Sequence, residues 1–133
     1  MALGYAATLR NTMLNTITTA AGASALLRIY NGTRPATGGT ATTLLAELTC
    51  NATFAPAATG GVLTLNAITQ DASANASGTA TWFRLVKSDG TTHVLDGNIG
   101  ATSSGADWEL TTTTIVATQP VSCSSFTITE SNP

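Results

Sequence analysis

Thr79-Ala80-Thr81-Trp82-Phe83-Arg84-Leu85-Val86-Lys87-Ser88-Asp89-Gly90-Thr91-Thr92-His93-Val94-Leu95-Asp96 is the stretch that decides the fold class of this chain. In an extended backbone, Thr81, Phe83, Leu85 and Lys87 fall on one side and Trp82, Arg84 and Val86 on the other. Both sides carry apolar groups, so residues 79–87 are expected to form a central strand covered on both faces. Ser88-Asp89-Gly90-Thr91 is turn chemistry, and it closes a hairpin onto a second strand over residues 92–96.

Working outward, the same grammar recurs. Residues 25–30 read as a strand that ends at Asn31-Gly32, and residues 43–50, 61–67, 108–118 and 121–130 give further candidates. Between them lie the breakers Arg34-Pro35, Gly38-Gly39, Gly60-Gly61, Gly97, Gly100, Gly105 and Pro120. No helical segments separate these strands, which excludes a βαβ arrangement. The expectation is an all-β chain, a β-sandwich or jelly-roll-like domain with a short N-terminal α-helix. One internal echo is present: Pro35-Ala36-Thr37-Gly38-Gly39 and Pro56-Ala57-Ala58-Thr59-Gly60-Gly61 are similar loops that each lead into a strand.

Helical period is confined to residues 5–21, where Tyr5, Leu9, Met13 and Ile17 recur at i+4, Leu14 widens the stripe, and Gly22 supplies a stop. Thr8, Thr12, Thr16, Thr18 and Thr19 are poor helix formers, so this helix needs a surface to pack on. That surface is either its own domain or a neighbouring subunit. Tyr5, Leu9, Met13 and Ile17 are accordingly the candidate interface residues. The chain divides into residues 1–22 as helix or arm and residues 23–133 as β-sandwich, within one domain spanning 1–133.

The length of 133 residues leaves no room for a second domain. Hydrophobic residues make up 43%, ample for a core, yet charged residues are only 9%, against roughly 25% in ordinary domains. The surface is therefore built from the 27 threonines and 22 alanines rather than from charge. With a net charge of -2 and five scattered basic residues, Arg10, Arg28, Arg34, Arg84 and Lys87, no phosphate-neutralising patch forms, which argues against nucleic acid. Apolar runs long enough to cross a membrane are absent, and the opening residues lack the pattern of a signal peptide; a soluble chain not exported by the usual route is expected. Cys50 and Cys123 pair only if their strands meet; without a secretion signal, reduced and buried thiols are the commoner outcome.

The sequence offers little chemistry. His93 is the single histidine, and it follows a hairpin turn directly, where solvent-facing and cross-strand residues are the rule. Cys50 with His93 is the nearest approach to a nucleophile and base, and nothing around them supports the pair. Asp107 and Glu109 flank Trp108, but side chains at i and i+2 lie parallel on one strand face instead of facing across a cleft, as a glycosidase requires. One His and two distant Cys give no zinc spacing, and Asp89-Gly90 and Asp96-Gly97-Asn98 lack the acid ladder of a calcium loop. Neither catalytic residues, a cofactor nor a metal are expected, and an enzyme is the least favoured class.

The opening Met1-Ala2-Leu3-Gly4-Tyr5-Ala6-Ala7-Thr8-Leu9-Arg10-Asn11, with Leu14-Asn15-Thr16-Ile17, Leu27-Arg28-Ile29-Tyr30-Asn31-Gly32-Thr33-Arg34-Pro35, Leu44-Leu45-Ala46-Glu47-Leu48-Thr49 and Gly78-Thr79-Ala80-Thr81-Trp82-Phe83-Arg84, resembles small structural proteins of tailed bacteriophages and prophages. The resemblance implies a virion component, most like a capsid decoration or cement protein, made in the host cytoplasm and placed on the capsid exterior. It implies the major capsid protein as partner, with a tail or fibre-associated role or a stand-alone carbohydrate-binding or adhesin module as alternatives. A charge-poor exterior with little self-repulsion also suits a homo-oligomer, dimer or trimer, on a symmetric shell.

Overall fold

The computed structural model describes residues 3–130. At its centre is β5 (Trp82–Val86), buried at every position, as the two-sided apolar pattern requires. β5 pairs antiparallel with β1 (Leu26–Tyr30) on one side and β6 (His93–Ala101) on the other. β2 (Leu44–Thr49) continues the sheet beyond β1, and β7 (Trp108–Leu110) continues it beyond β6, giving a five-stranded sheet in the order β2-β1-β5-β6-β7. β7 runs parallel to β6, so the sheet is mixed. Two small antiparallel ladders complete the strands: β3 (Val62–Thr64) with β9 (Thr127–Thr129), and β4 (Gly78–Thr79) with β8 (Thr114–Ile115).

The chain is therefore predominantly β with one short helix. Several expected strands are shorter than their sequence patterns. Residues 108–118 divide into β7 and β8, and residues 121–130 contribute only β9 and an isolated bridge between Val121 and Asp71. β6 is instead longer than expected, because Gly97 and Gly100 do not interrupt it. A side chain at Gly97 would place its Cβ 2.4 Å from the Phe83 ring, and one at Gly100 would meet Ser104 Oγ at 2.3 Å. These glycines admit close neighbours within a strand; they do not end one.

One sheet face carries the main core. Leu27, Ile29, Ala46, Leu48, Phe83 and Leu85 project from it and join Leu63, Leu65, Phe54, Trp108 and Phe126. Phe83, Trp108 and Phe126 meet edge to face, with ring centroids 5.1–5.7 Å apart. Leu27, Ile29, Leu63, Leu65, Trp82, Phe83 and Leu85 are all buried.

The N-terminal helix α1 (Ala7–Ala21) stops at Gly22, whose φ of 70° ends the helical path and whose N–H donates to Thr18 O. It lies on its own domain through only part of the stripe read from the sequence, with Ile17 packed against the core and Leu9 and Met13 facing outward. Leu14 and Ala21 are its buried residues, and polar groups make the rest of the attachment. Asn11 Oδ1 accepts from Gly61 N at 2.9 Å, Asn15 Oδ1 accepts from Ala58 N at 2.8 Å, and Arg10 Nη1 donates to Glu130 O at 3.2 Å.

Candidate functional site

The second face of the sheet is where the charges meet. β-Strand alternation puts Arg28 and Arg84 on this face with Tyr30, Trp82 and Val86, and the ladder register aligns Glu47, Arg28, Arg84 and Asp96 in one row across β2, β1, β5 and β6. Two arginines directly opposite repel; here each is neutralised on its outer side. Arg28 Nε lies 2.7 Å from Glu47 Oε2, while Arg84 makes a two-pronged bond to Asp96, at 2.7 Å to Oδ1 and 3.0 Å to Oδ2. The Asp96 side chain is only 1% exposed, and it also accepts Gly38 N–H. Burial pushes the Asp96 carboxyl up, but the Arg84 hydrogen bonds, the Gly38 N–H and the charges of Arg84 and His93 outweigh it and hold the group below its ordinary value.

Beside this row, Trp82 stacks on Tyr30 at 4.3 Å, and the Arg84 guanidinium sits 5.2 Å from the Trp82 ring centroid. Trp82 Nε1 donates to Asn31 O and Thr42 Oγ1, which ties the 31–43 loop over the sheet. His93 Nε2 lies 3.2 Å from Asp96 Oδ1 without hydrogen-bond geometry. The charge row is thus internally closed, and its chemistry is that of a strut.

The remaining candidates for chemistry separate in space or in reactivity. Cys50 and Cys123 carry free thiols. Burial, with a smaller contribution from Cys123, pushes the Cys50 thiol up to about 11, the reverse of an activated nucleophile. Asp107 Oδ2 accepts Asn98 N–H, and Glu109 accepts the N–H groups of Ser103 and Gly105; the two carboxylates shape a strand edge and a turn. Among the described residues, no three His, Cys, Asp or Glu converge as a metal site would need, and no helix is long and apolar enough to cross a membrane.

Of the four candidate interface residues, Leu9 and Met13 lie one turn apart and face outward, 47% and 37% exposed. Ile17 turns inward and packs against the core, and Tyr5 is half-buried. The outward surface of α1 is built from Leu9, Met13 and threonines, with Leu3 also exposed. The one charged residue of the helix, Arg10, is engaged at Glu130 O.

A second feature had no clear sequence signal. A cleft of about 650 Å³ opens between the β6–β7 end of the sheet and β9, with Phe83 and Phe126 among its lining and Arg34, Asp107, Thr127 and Thr129 around them. The lining comes from five separate segments that the fold alone assembles. Comparison with protein-family models, with curated proteins and with solved structures yields no match for this chain.

Proposed function

We propose that this protein is a non-enzymatic virion structural protein that decorates or cements a phage capsid by binding the lattice of the major capsid protein. The observation that carries the proposal is the distribution of charge and apolar surface. Arg10, Arg28 and Arg84 are each engaged within the domain, while Leu9 and Met13 stand outward on a helix whose exposed side is otherwise threonine and alanine. A neutral, weakly apolar face on a β domain suits a component that repeats many times on a symmetric shell, where individually weak contacts act together. The sequence resemblance to small phage structural proteins points the same way. A sandwich or jelly-roll arrangement, with the β3–β9 and β4–β8 ladders forming part of a second layer, belongs to the same proposal, as does assembly into a dimer or trimer.

Electron microscopy of particles of the encoding phage or prophage tests this reading. Density for the protein at many equivalent shell positions supports it. Density confined to one vertex assigns it to the tail, and absence from particles overturns the virion role.

A further inference from the structure

The two ends of the main sheet are finished differently. At the β2 end, residues 69–76 close the edge: Thr49 and Thr69 exchange backbone hydrogen bonds, Asn75 N donates to Leu45 O, and Asp71 Oδ2 accepts Glu47 N. At the β7 end the sheet stops. Ile99 N donates to Thr81 O, toward β5, so the next residue, Gly100, turns its backbone groups to β7. With Gly100 opposite Glu109 in a parallel register, Trp108 and Leu110 face β6, and the backbone N–H and C=O of Glu109 face away from the sheet.

β9 presents the same situation from across the cleft. Its antiparallel ladder with β3 is bonded through Phe126 and Glu130, since Leu65 N donates to Phe126 O and Glu130 N to Gly61 O. Alternation then points the backbone groups of Thr127 and Thr129 away from β3. Among the described residues, no hydrogen bond engages these outer groups of Glu109, Thr127 or Thr129. Thr127 and Thr129 line the 650 Å³ cleft, and a smaller groove of about 270 Å³, lined by Glu109 and Thr127, continues along the same edge. Arg34, exposed at the cleft, has no partner among the described residues, unlike Arg10, Arg28 and Arg84.

We propose that this cleft is a strand-addition site for an extended polypeptide segment of a partner protein. The segment hydrogen-bonds to the open edges at Glu109, Thr127 and Thr129, sets alternate apolar side chains over Phe83 and Phe126, and places an acidic residue against Arg34. Open strand edges are the hazard that β proteins ordinarily cover, and a chain added there gains main-chain hydrogen bonds for affinity and side-chain alternation for specificity. The unpaired guanidinium selects the acid. The inference holds whether the partner is a capsid protein or not.

A ribosome-displayed library of random peptides of about ten residues, selected on the full chain, tests it. Enriched peptides are expected to alternate apolar and polar residues around an acid, and to slow amide exchange at Glu109, Thr127 and Thr129. Thr127→Pro removes an N–H that no native hydrogen bond uses, so it is expected to weaken peptide binding at least tenfold with the melting temperature unchanged; Arg34→Ala is expected to weaken it several-fold. If Thr127→Pro misfolds, Arg34→Ala and the wild-type exchange pattern decide. Failure to enrich any peptide, equal binding to Arg34→Ala with no protection at these amides, occupancy of the cleft by members of a glycan panel, or protection that rises with protein concentration alone would each overturn the proposal.

Discussion

The two loops that echo each other in sequence hold opposite parts of the molecule. The first glycine of each echo is left-handed, Gly38 at φ 75° and Gly60 at φ 60°, but at the second glycine only Gly61 is, at φ 76°. Each loop donates one glycine N–H, from Gly38 or from Gly61, to a side-chain oxygen. Gly38 binds the Asp96 carboxylate within a buried ion pair, whereas Gly61 binds the Asn11 carboxamide on the helix. Similar local text closes different turns, with Gly39 N donating to Ala36 O in one loop and Thr59 and Val62 exchanging backbone hydrogen bonds in the other, and the partner's chemistry sets the strength. The 31–43 loop clamps charged and aromatic groups that are expensive to separate; the 56–61 loop tethers α1 through neutral amides. The centre of the domain is thus expected to be much harder to disrupt than the attachment of its helix.

The largest effect is expected at Trp82, which is 0% exposed, stacked on Tyr30 and hydrogen-bonded to the 31–43 loop. Trp82→Ala is expected to cost about 3–5 kcal/mol in urea unfolding. A loss below 1 kcal/mol would remove the clamp from the centre of the account.

Asp96→Asn comes next. It leaves Arg84 without its counter-charge in a site where the side chains are 11% and 1% exposed, and a loss of about 3 kcal/mol is expected. The same pair gives an acid dependence. Because the Asp96 carboxyl titrates lower in the folded protein than in the unfolded chain, the unfolded state binds the extra proton, and stability present above about pH 4 falls as pH drops through the folded value. Wild type is therefore expected to lose more stability than Asp96→Asn on acidification, and parallel losses would contradict the assignment.

At the helix, Asn15→Ala leaves Ala58 N–H without its acceptor, for an expected cost of about 1–2 kcal/mol. If this neutral tether proved as costly as Asp96, the contrast between the two loops would fail.

The central strand, the hairpin after it and the boundary at Gly22 were legible because each rests on local rules: two-sided alternation, turn residues, and a glycine that leaves the helical path. The inward face of α1 was legible only in part. The apolar stripe of Tyr5, Leu9, Met13 and Ile17, widened by Leu14, contains Leu14 and Ile17 of the seat, but the helix is also held by Ala21 and by Arg10, Asn11 and Asn15, polar residues whose partners lie far along the chain. Hydrophobic period does not register a contact made by amides. The parallel β7 and the cleft were hidden for a related reason. β7 is three residues long, and the cleft joins segments that only the tertiary fold brings together. The charge row was half visible: Arg28 and Arg84 share strand parity with Tyr30 and Trp82, but their acids come from strands whose register no local signal fixes.

The smallest effect on folding and the largest on assembly are expected at the outward face of α1. In Leu9→Ser/Met13→Ser the substituted side chains are already exposed, so stability is expected to stay within about 0.5 kcal/mol of wild type. Binding of this variant to undecorated particles of the encoding phage, titrated beside wild type, tests the proposed role most directly. At least a tenfold loss of affinity with an unchanged melting temperature is the expected result, and full occupancy of the shell by the double variant would contradict it.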